Sequence, residues 1–282
     1  MLDYIENIRQ QPEGPNGRSR GKRIQKGGKS TTGILEWTTE SPEAFRKYLE
    51  AVEERIPTFG GRAEEVHTLK INGIFRRGPR TALFYECAES PIDLREVLLK
   101  VPRPPDSAIR ALARVIATQV RSLHVHFQVD HTALRTESFV FLGARPVDYA
   151  RPYLLDLARP ALPDMYRHPE YRATTTTTTT AGDTVWFYQV WALMMILSEI
   201  AEWRPLDRAG PGDEELELLR RKLDRKRLVT SNAEWKSALS TQVFRHGFGI
   251  LEADRETLET YSRWRIKRFY DKLCELILSG PT

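Results

Sequence analysis

Apolar residues recur along this chain with two different periods, and the change of period divides it. Ile34-Leu-Glu-Trp37 reads as a short strand. Ser41-Pro-Glu-Ala opens a helix, with Ser41 as cap and Pro42 at the first position. Phe45, Leu49, Val52 and Ile56 then fall on one stripe at near-helical spacing. From Val66 to Phe75 apolar and polar residues alternate. Arg76-Arg-Gly-Pro-Arg80 is a turn and Thr81 to Tyr85 is again strand-like, so the stretch predicts a β-hairpin. Asp93 to Val101 predicts a short helix that stops before Pro102 and the Pro104-Pro105 pair.

Beyond this point the helical period dominates. Asp106 opens a long helix whose buried stripe is Ile109, Leu112, Ile116, Val120 and Leu123. Ser138 to Leu142 and Tyr153 to Leu155 are short strands. Trp186 to Ile200 is apolar on nearly every side, and a helix without a polar face belongs inside a core. Amphipathic helices are expected near Asp213–Arg227, Ala233–Arg245 and Arg255–Leu278. Strands and helices are segregated along the chain, which predicts an α+β fold. The expected organisation is a basic flexible arm over 1–32, a strand-rich small lobe over 33–90 and a mostly helical lobe over 91–282.

Composition narrows the class. The 282 residues are 40% hydrophobic and 29% charged, enough for a sizeable core. The net charge of +5 is concentrated between Gly17 and Lys29, which hold six Lys/Arg and no acid. A Gly-rich basic run predicts a solvated arm, with weak contact to nucleic acid or acidic lipid through residues 17–29 as its functional reading. Cys87 and Cys274 suit neither a disulfide framework nor a zinc spacing, which points to a reducing compartment. Met1 to Arg20 has no signal-peptide pattern, and the longest apolar run, Val190 to Leu197, is too short to span a bilayer. The expected location is cytoplasmic, or nuclear through the basic arm.

Most short motifs fail on spacing. Gly27-Gly-Lys29-Ser30 resembles the end of a phosphate loop, but Arg23 stands where its first Gly is required. His124, His126 and His131 lie close in sequence beside Asp130, without a known metal spacing. No Gly-x-Ser-x-Gly elbow supports a hydrolase. The tract Thr174 to Thr180 has no apolar face and reads as a loop.

Several longer motifs do occur in a meaningful order. They are Ile34-Leu-Glu36-Trp37, Leu123-His124, Asp156-Leu-Ala158-Arg-Pro160, Tyr166-Arg-His168-Pro-Glu170-Tyr171 and Glu199-Ile-Ala-Glu-Trp203-Arg-Pro-Leu206. With these the chain resembles a protein-kinase-like fold, and more closely the fungal kinase-like proteins linked to prion-inhibition or incompatibility domains. The resemblance implies a two-lobed α+β architecture with a small β-rich lobe and a mostly helical one. It also implies where the chemistry of a kinase would sit. The phosphate-holding Lys falls at Thr38, with Glu50 or Glu54 as its helix partner. The catalytic base falls at Ala133, with Arg135 for the loop Lys. The metal-binding Asn falls at Ser138. Asp156 keeps the metal-binding carboxylate. Glu86 and Cys87, with Ser138 and Asp156, are the nucleotide-cleft candidates. Glu170 is expected to anchor the activation segment to Arg263, Arg265 or Arg268, and Gln189 replaces a fold-anchoring Asp.

With lid, Lys, base and Asn missing together, the resemblance implies a catalytically inactive pseudokinase with a regulatory or scaffolding role and protein partners. No cofactor is required, and ATP with Mg²⁺ is the one that would bind. Two alternatives stay open. One is an atypical active Ser/Thr kinase using Asp130 as base and Lys70 as phosphate clamp. The other is a helical interaction protein with a nucleic-acid- or membrane-binding arm.

Overall fold

A computed structural model of the chain describes residues 4–5, 8–12, 17–24, 30–38, 66–69, 71–87, 91–127, 131, 133–143, 146–156, 164–170, 186–207, 214–232, 235 and 237–279. Among the described residues the small lobe forms a sheet of six strands: β1 (Tyr4–Ile5), β2 (Ile8–Gln10), β3 (Arg18–Ile24), β4 (Ser30–Thr38), β5 (Ile71–Arg77) and β6 (Arg80–Glu86). Their spatial order is β1-β5-β6-β4-β3-β2. All pairs are antiparallel except β1 with β5. The hairpin read from the alternation is β5–β6, turning at Gly78 (φ +59°) and Pro79, where glycine supplies the left-handed backbone. Gly33 is needed for a different reason. A Cβ there would sit 2.2 Å from the carbonyl of Tyr85 and 2.7 Å from the ring of Phe84.

The basic run is not an arm over residues 17–24. It is strand β3, paired along its length with β4 from Arg18↔Glu36 to Ile24↔Ser30. Arg18, Ser19 and Gly21 are buried in the sheet, and the indole N–H of Trp37 donates to Ser19 Oγ at 3.0 Å. The small lobe therefore begins well before residue 33. A solvated strip for nucleic acid or lipid fails at Arg18 because its charge is neutralised inside the protein. Residues 25–29 and the helix expected over 41–56 lie outside the described residues.

A second sheet has three described strands, β7 (Ile92–Asp93), β8 (Phe139–Phe141) and β9 (Tyr153–Leu154), in the order β7-β8-β9. The helical lobe comprises α1 (Leu94–Lys100), α2 (Asp106–Ser122), α3 (Trp186–Glu202), α4 (Glu215–Ser231), α5 (Thr241–Gly249), α6 (Arg255–Glu259) and α7 (Arg263–Ser279). Asp93 caps α1, its side chain accepting from Glu96 N–H at 2.8 Å. All five stripe positions of α2 and its extension, Ile109 to Leu123, are fully buried. α3 is buried nearly all round and is the centre of the large core. The helix expected over 233–245 starts only at Thr241, and the last expected helix is two, broken between Glu259 and Arg263. At that break Tyr261 stacks on Trp186 at 5.9 Å, a contact that a continuous amphipathic pattern does not announce. Among the described residues, no helix is long and apolar enough to cross a membrane.

Candidate functional site

The antiparallel pairing of β8 with β9 (Phe139↔Leu154) sets the start of one strand beside the end of the other. Ser138 precedes β8 and Asp156 follows β9, so the two meet. Leu155 N–H donates to Ser138 C=O at 2.8 Å, and Ser138 Oγ donates to Asp156 Oδ2 at 3.2 Å. Asp156 is fully buried with φ +62°, a left-handed conformation that costs a non-glycine residue about 1–3 kcal/mol. Short polar Asp tolerates it better than most residues, and contacts on both its backbone and its side chain hold it there.

Those contacts come from the small lobe. Arg18 Nη2 lies 2.7 Å from Asp156 Oδ2, and Arg18 Nη1 donates to the carbonyl of Glu137 at 2.6 Å. Asp156 N–H donates to Glu36 Oε2 at 3.1 Å. Arg18 and Glu36 face each other across the β3–β4 pair. Burial works against charge on Arg18, but the neighbouring carboxylates of Asp156 and Glu36 outweigh it, so its pKa is held above the ordinary value. The Tyr85 hydroxyl bonds Glu36; burial, with the charges of Glu36 and Asp156, pushes its pKa well up, so it stays a neutral donor.

Around this cluster the cleft is apolar and closed. Ile34 of β4 (2% exposed), Val140 of β8 (2%) and Leu155 (0%) belong to one buried cluster with Leu83, Tyr85 and Cys87. Cys87 N–H donates to Thr32 C=O at 3.1 Å, which ties the end of β6 to β4. Glu86 is exposed, and its Oε2 accepts from Asn72 Nδ2 at 2.7 Å, away from Asp156. Of the expected nucleotide-cleft residues, only Ser138 and Asp156 are thus brought into contact. The β4 residue that reaches Asp156 is Glu36, two positions before Thr38.

The loop before β8 packs His131, Ala133 and Ser138 against the end of β9 and Asp156. His131 is buried and neutral, its pKa lowered first by desolvation, and its Nε2–H donates to Leu155 C=O at 2.7 Å. Ala133 follows two residues later. Its carbonyl lies 3.1 Å from Ser138 Oγ, whose one proton is shared between it and Asp156. Arg135 turns away to Asp164, 3.8 Å off. His124 does not join His131 at a metal. It lies between Tyr270 (Nδ1 to hydroxyl, 2.8 Å) and Gln189, and burial lowers its pKa to about 4. Gln189 is thus a buried hydrogen-bonding residue of α3. No metal-holding group occurs among the described residues. Asp130, Lys70, Glu50, Glu54 and Thr174–Thr180 lie outside them.

The segment 164–170 is pinned, but not by Glu170. Glu170 is exposed, and its backbone N–H donates to His168 Nδ1 at 3.1 Å. Arg265 and Arg268 instead lie over Tyr261 and Trp264. The anchors are Trp191 Nε1–H to Met165 C=O (3.0 Å), Lys222 Nζ to Arg167 C=O (2.6 Å) and Tyr166. The Tyr166 hydroxyl lies 2.9 Å from both carboxyl oxygens of Glu199 and 2.9 Å from Thr136 Oγ1. Glu199 Oε1 also accepts from Leu206 N–H at 2.7 Å. Burial raises the pKa of Glu199 to about 8, so it is protonated at neutral pH.

Arg18 is the residue that sequence reading misses. β3 has almost no apolar positions, so alternation is silent there. The available signal is Gly27-Gly28 set between two runs of strand length, which marks a hairpin turn. That Arg18 meets Asp156 is visible only in three dimensions.

No protein-family model matches the chain, and no curated protein matches it by sequence. Solved structures do. One double mutant of the Mycobacterium tuberculosis PknI kinase domain matches with TM-score 0.56 and 14% identity, over 98% of this chain and 99% of that one. A second double mutant of the same kinase domain matches with TM-score 0.53 and 15% identity, over 94% of each chain. Identity this low speaks for the fold alone, and with the two sheets and the helical lobe around α3 it makes this a two-lobed, protein-kinase-like α+β fold.

Proposed function

We propose that the chain is a pseudokinase, a kinase-like domain that regulates or scaffolds protein partners and does not transfer phosphoryl groups. One observation carries the reading: the β4 residue that reaches Asp156 is the acid Glu36. Phosphoryl transfer needs a cation there to hold nucleotide phosphates, and catalysis is mostly electrostatic positioning by such groups. A carboxylate in that place repels phosphate. Ala133 supports the same conclusion, since it follows the His131 contact where a base is needed, and loss of a general base alone costs about 10²–10⁴-fold. ATP with Mg²⁺ does not fit the residues as they stand, because Asp156 is fully buried with Arg18 at 2.7 Å.

The resemblance to fungal kinase-like proteins of prion-inhibition and incompatibility systems favours a signalling role in the cytoplasm. Cys87 and Cys274 are both thiols, in keeping with a reducing compartment. The test is single-turnover transfer from labelled ATP with Mg²⁺, to the chain itself and to a generic acceptor. Wild type should match the Asp156→Ala variant at background, and Ala133→Asp should not rescue transfer. Transfer above background that Asp156→Ala abolishes would overturn the reading.

A further inference from the structure

We propose that Arg18 is a built-in occupant of the Asp156 site, a latch that closes the two lobes without nucleotide or metal. The inference rests on the pseudokinase reading and adds the device that keeps the cleft shut. Three bonds cross between the lobes at one point: Arg18 to Asp156, Arg18 to the Glu137 carbonyl, and the Asp156 N–H to Glu36. The two hydrogen bonds among them join residues 119 and 120 positions apart in the chain. Arg18, Glu36 and Asp156 are all buried, so solvent screens their attraction little.

The arrangement inverts the charges that a metal-nucleotide complex would need. A Mg²⁺ ion binds carboxylate oxygen at about 2.0–2.1 Å. The guanidinium already sits 2.7 Å from Asp156 Oδ2, where a second cation would be repelled. The other arm of Arg18 is engaged by a carbonyl, so it is not turned toward a phosphate. Glu36 completes the set. It faces Arg18 across the strand pair and accepts the backbone N–H of the left-handed Asp156. The carboxylate that coordinates a metal in a working kinase site here serves as one jaw of a clasp. The closed form is thereby available to a protein partner at any nucleotide concentration.

The test compares thermal melts of the full chain as wild type, Arg18→Gln, Asp156→Asn and the double variant, each with and without millimolar ATP and Mg²⁺. Wild type should show no nucleotide-dependent shift. Arg18→Gln should melt roughly 10 °C lower, or lose its cooperative melt, because it strands a buried carboxylate. Adding Asp156→Asn to Arg18→Gln should recover part of that loss, since it removes the carboxylate nearest the lost guanidinium and leaves only Glu36, which still accepts the backbone N–H of position 156. A saturable shift of wild type with ATP and Mg²⁺ would sink the latch, and so would failure of Asp156→Asn to restore the Arg18→Gln variant. Either result leaves the pseudokinase reading standing if the transfer assay stays at background, so the two failures are separable.

Discussion

Two buried acids on either side of the short Thr136–Ser138 turn show two ways of keeping a carboxyl group out of water. On the cleft side, Asp156 is matched by the Arg18 guanidinium at 2.7 Å, a hydrogen bond from Ser138 and a backbone link to Glu36. On the core side, Glu199 has hydrogen bonds from Tyr166 and the Leu206 N–H, with the nearest influences in charge a repulsive Glu137 and a weaker Arg95. Desolvation therefore raises its pKa to about 8 and it holds its proton. A buried charge is either paired or removed. The pair joins two lobes and can be broken by losing one partner. The neutral acid joins two pieces of one lobe and tolerates any group that keeps its hydrogen bonds.

The contrast breaks most sharply at Arg18. Arg18→Ala should cost about 3–5 kcal/mol in urea unfolding, because Asp156 stays buried without its partner. Glu199→Ala should cost less, roughly 1–3 kcal/mol, from a small cavity and the stranded Leu206 N–H, since the Tyr166 hydroxyl keeps Thr136 Oγ1. Equal losses would mean that Arg18 is not paired in solution.

Titration sharpens the comparison next. The folded-state pKa of Glu199, about 8, lies above its ordinary 4.5. Its contribution to stability is full below pH 4.5 and is lost as pH rises toward 8. His124 and His168 are both lowered by burial to about 4 from 6.5, so their contribution is full above 6.5 and is lost as pH falls toward 4. These groups together place maximum stability near pH 6.5, with an alkaline decline of at most about 1.4 kcal/mol per pH unit. Glu199→Gln should flatten that decline and, with no proton to take up on folding, should be more stable than wild type at neutral pH, by at most roughly 3 kcal/mol. A decline that persists in Glu199→Gln would show that another group carries it. Tyr166→Phe is the mildest change, about 1 kcal/mol in the same urea titration, since it removes one hydroxyl and leaves a protonated acid that keeps the Leu206 N–H. A loss as large as that of Glu199→Ala would show that the hydroxyl, not the acid, holds the segment.

Periodicity made the large lobe legible. Ile109 to Leu123 and the all-apolar α3 declare themselves because a helix packed on a core must repeat apolar residues every three or four positions. The motif pieces were legible as well, though their roles changed on folding. Tyr166 and Glu199 belong to separate motifs that prove to be each other's partners. The anchoring expected of Glu170 falls to Tyr166, Trp191 and Lys222 instead. The contact of Ser138 Oγ with the Ala133 carbonyl stays within one loop, so it depends on local spacing alone.

The sequence by itself determined most elements from β4 onward, the two-lobed α+β class and the absence of a carboxylate at Ala133. Tertiary structure alone decided which charge meets Asp156. A strand built from Arg, Ser, Gly and Lys carries no hydrophobic signal, so β3 reads as solvent-exposed until it is paired with β4. Once paired, its register sets Arg18 opposite Glu36, and closure of the lobes brings Asp156 to them both. Contacts between residues so far apart in the chain depend on register and closure, which no local pattern encodes.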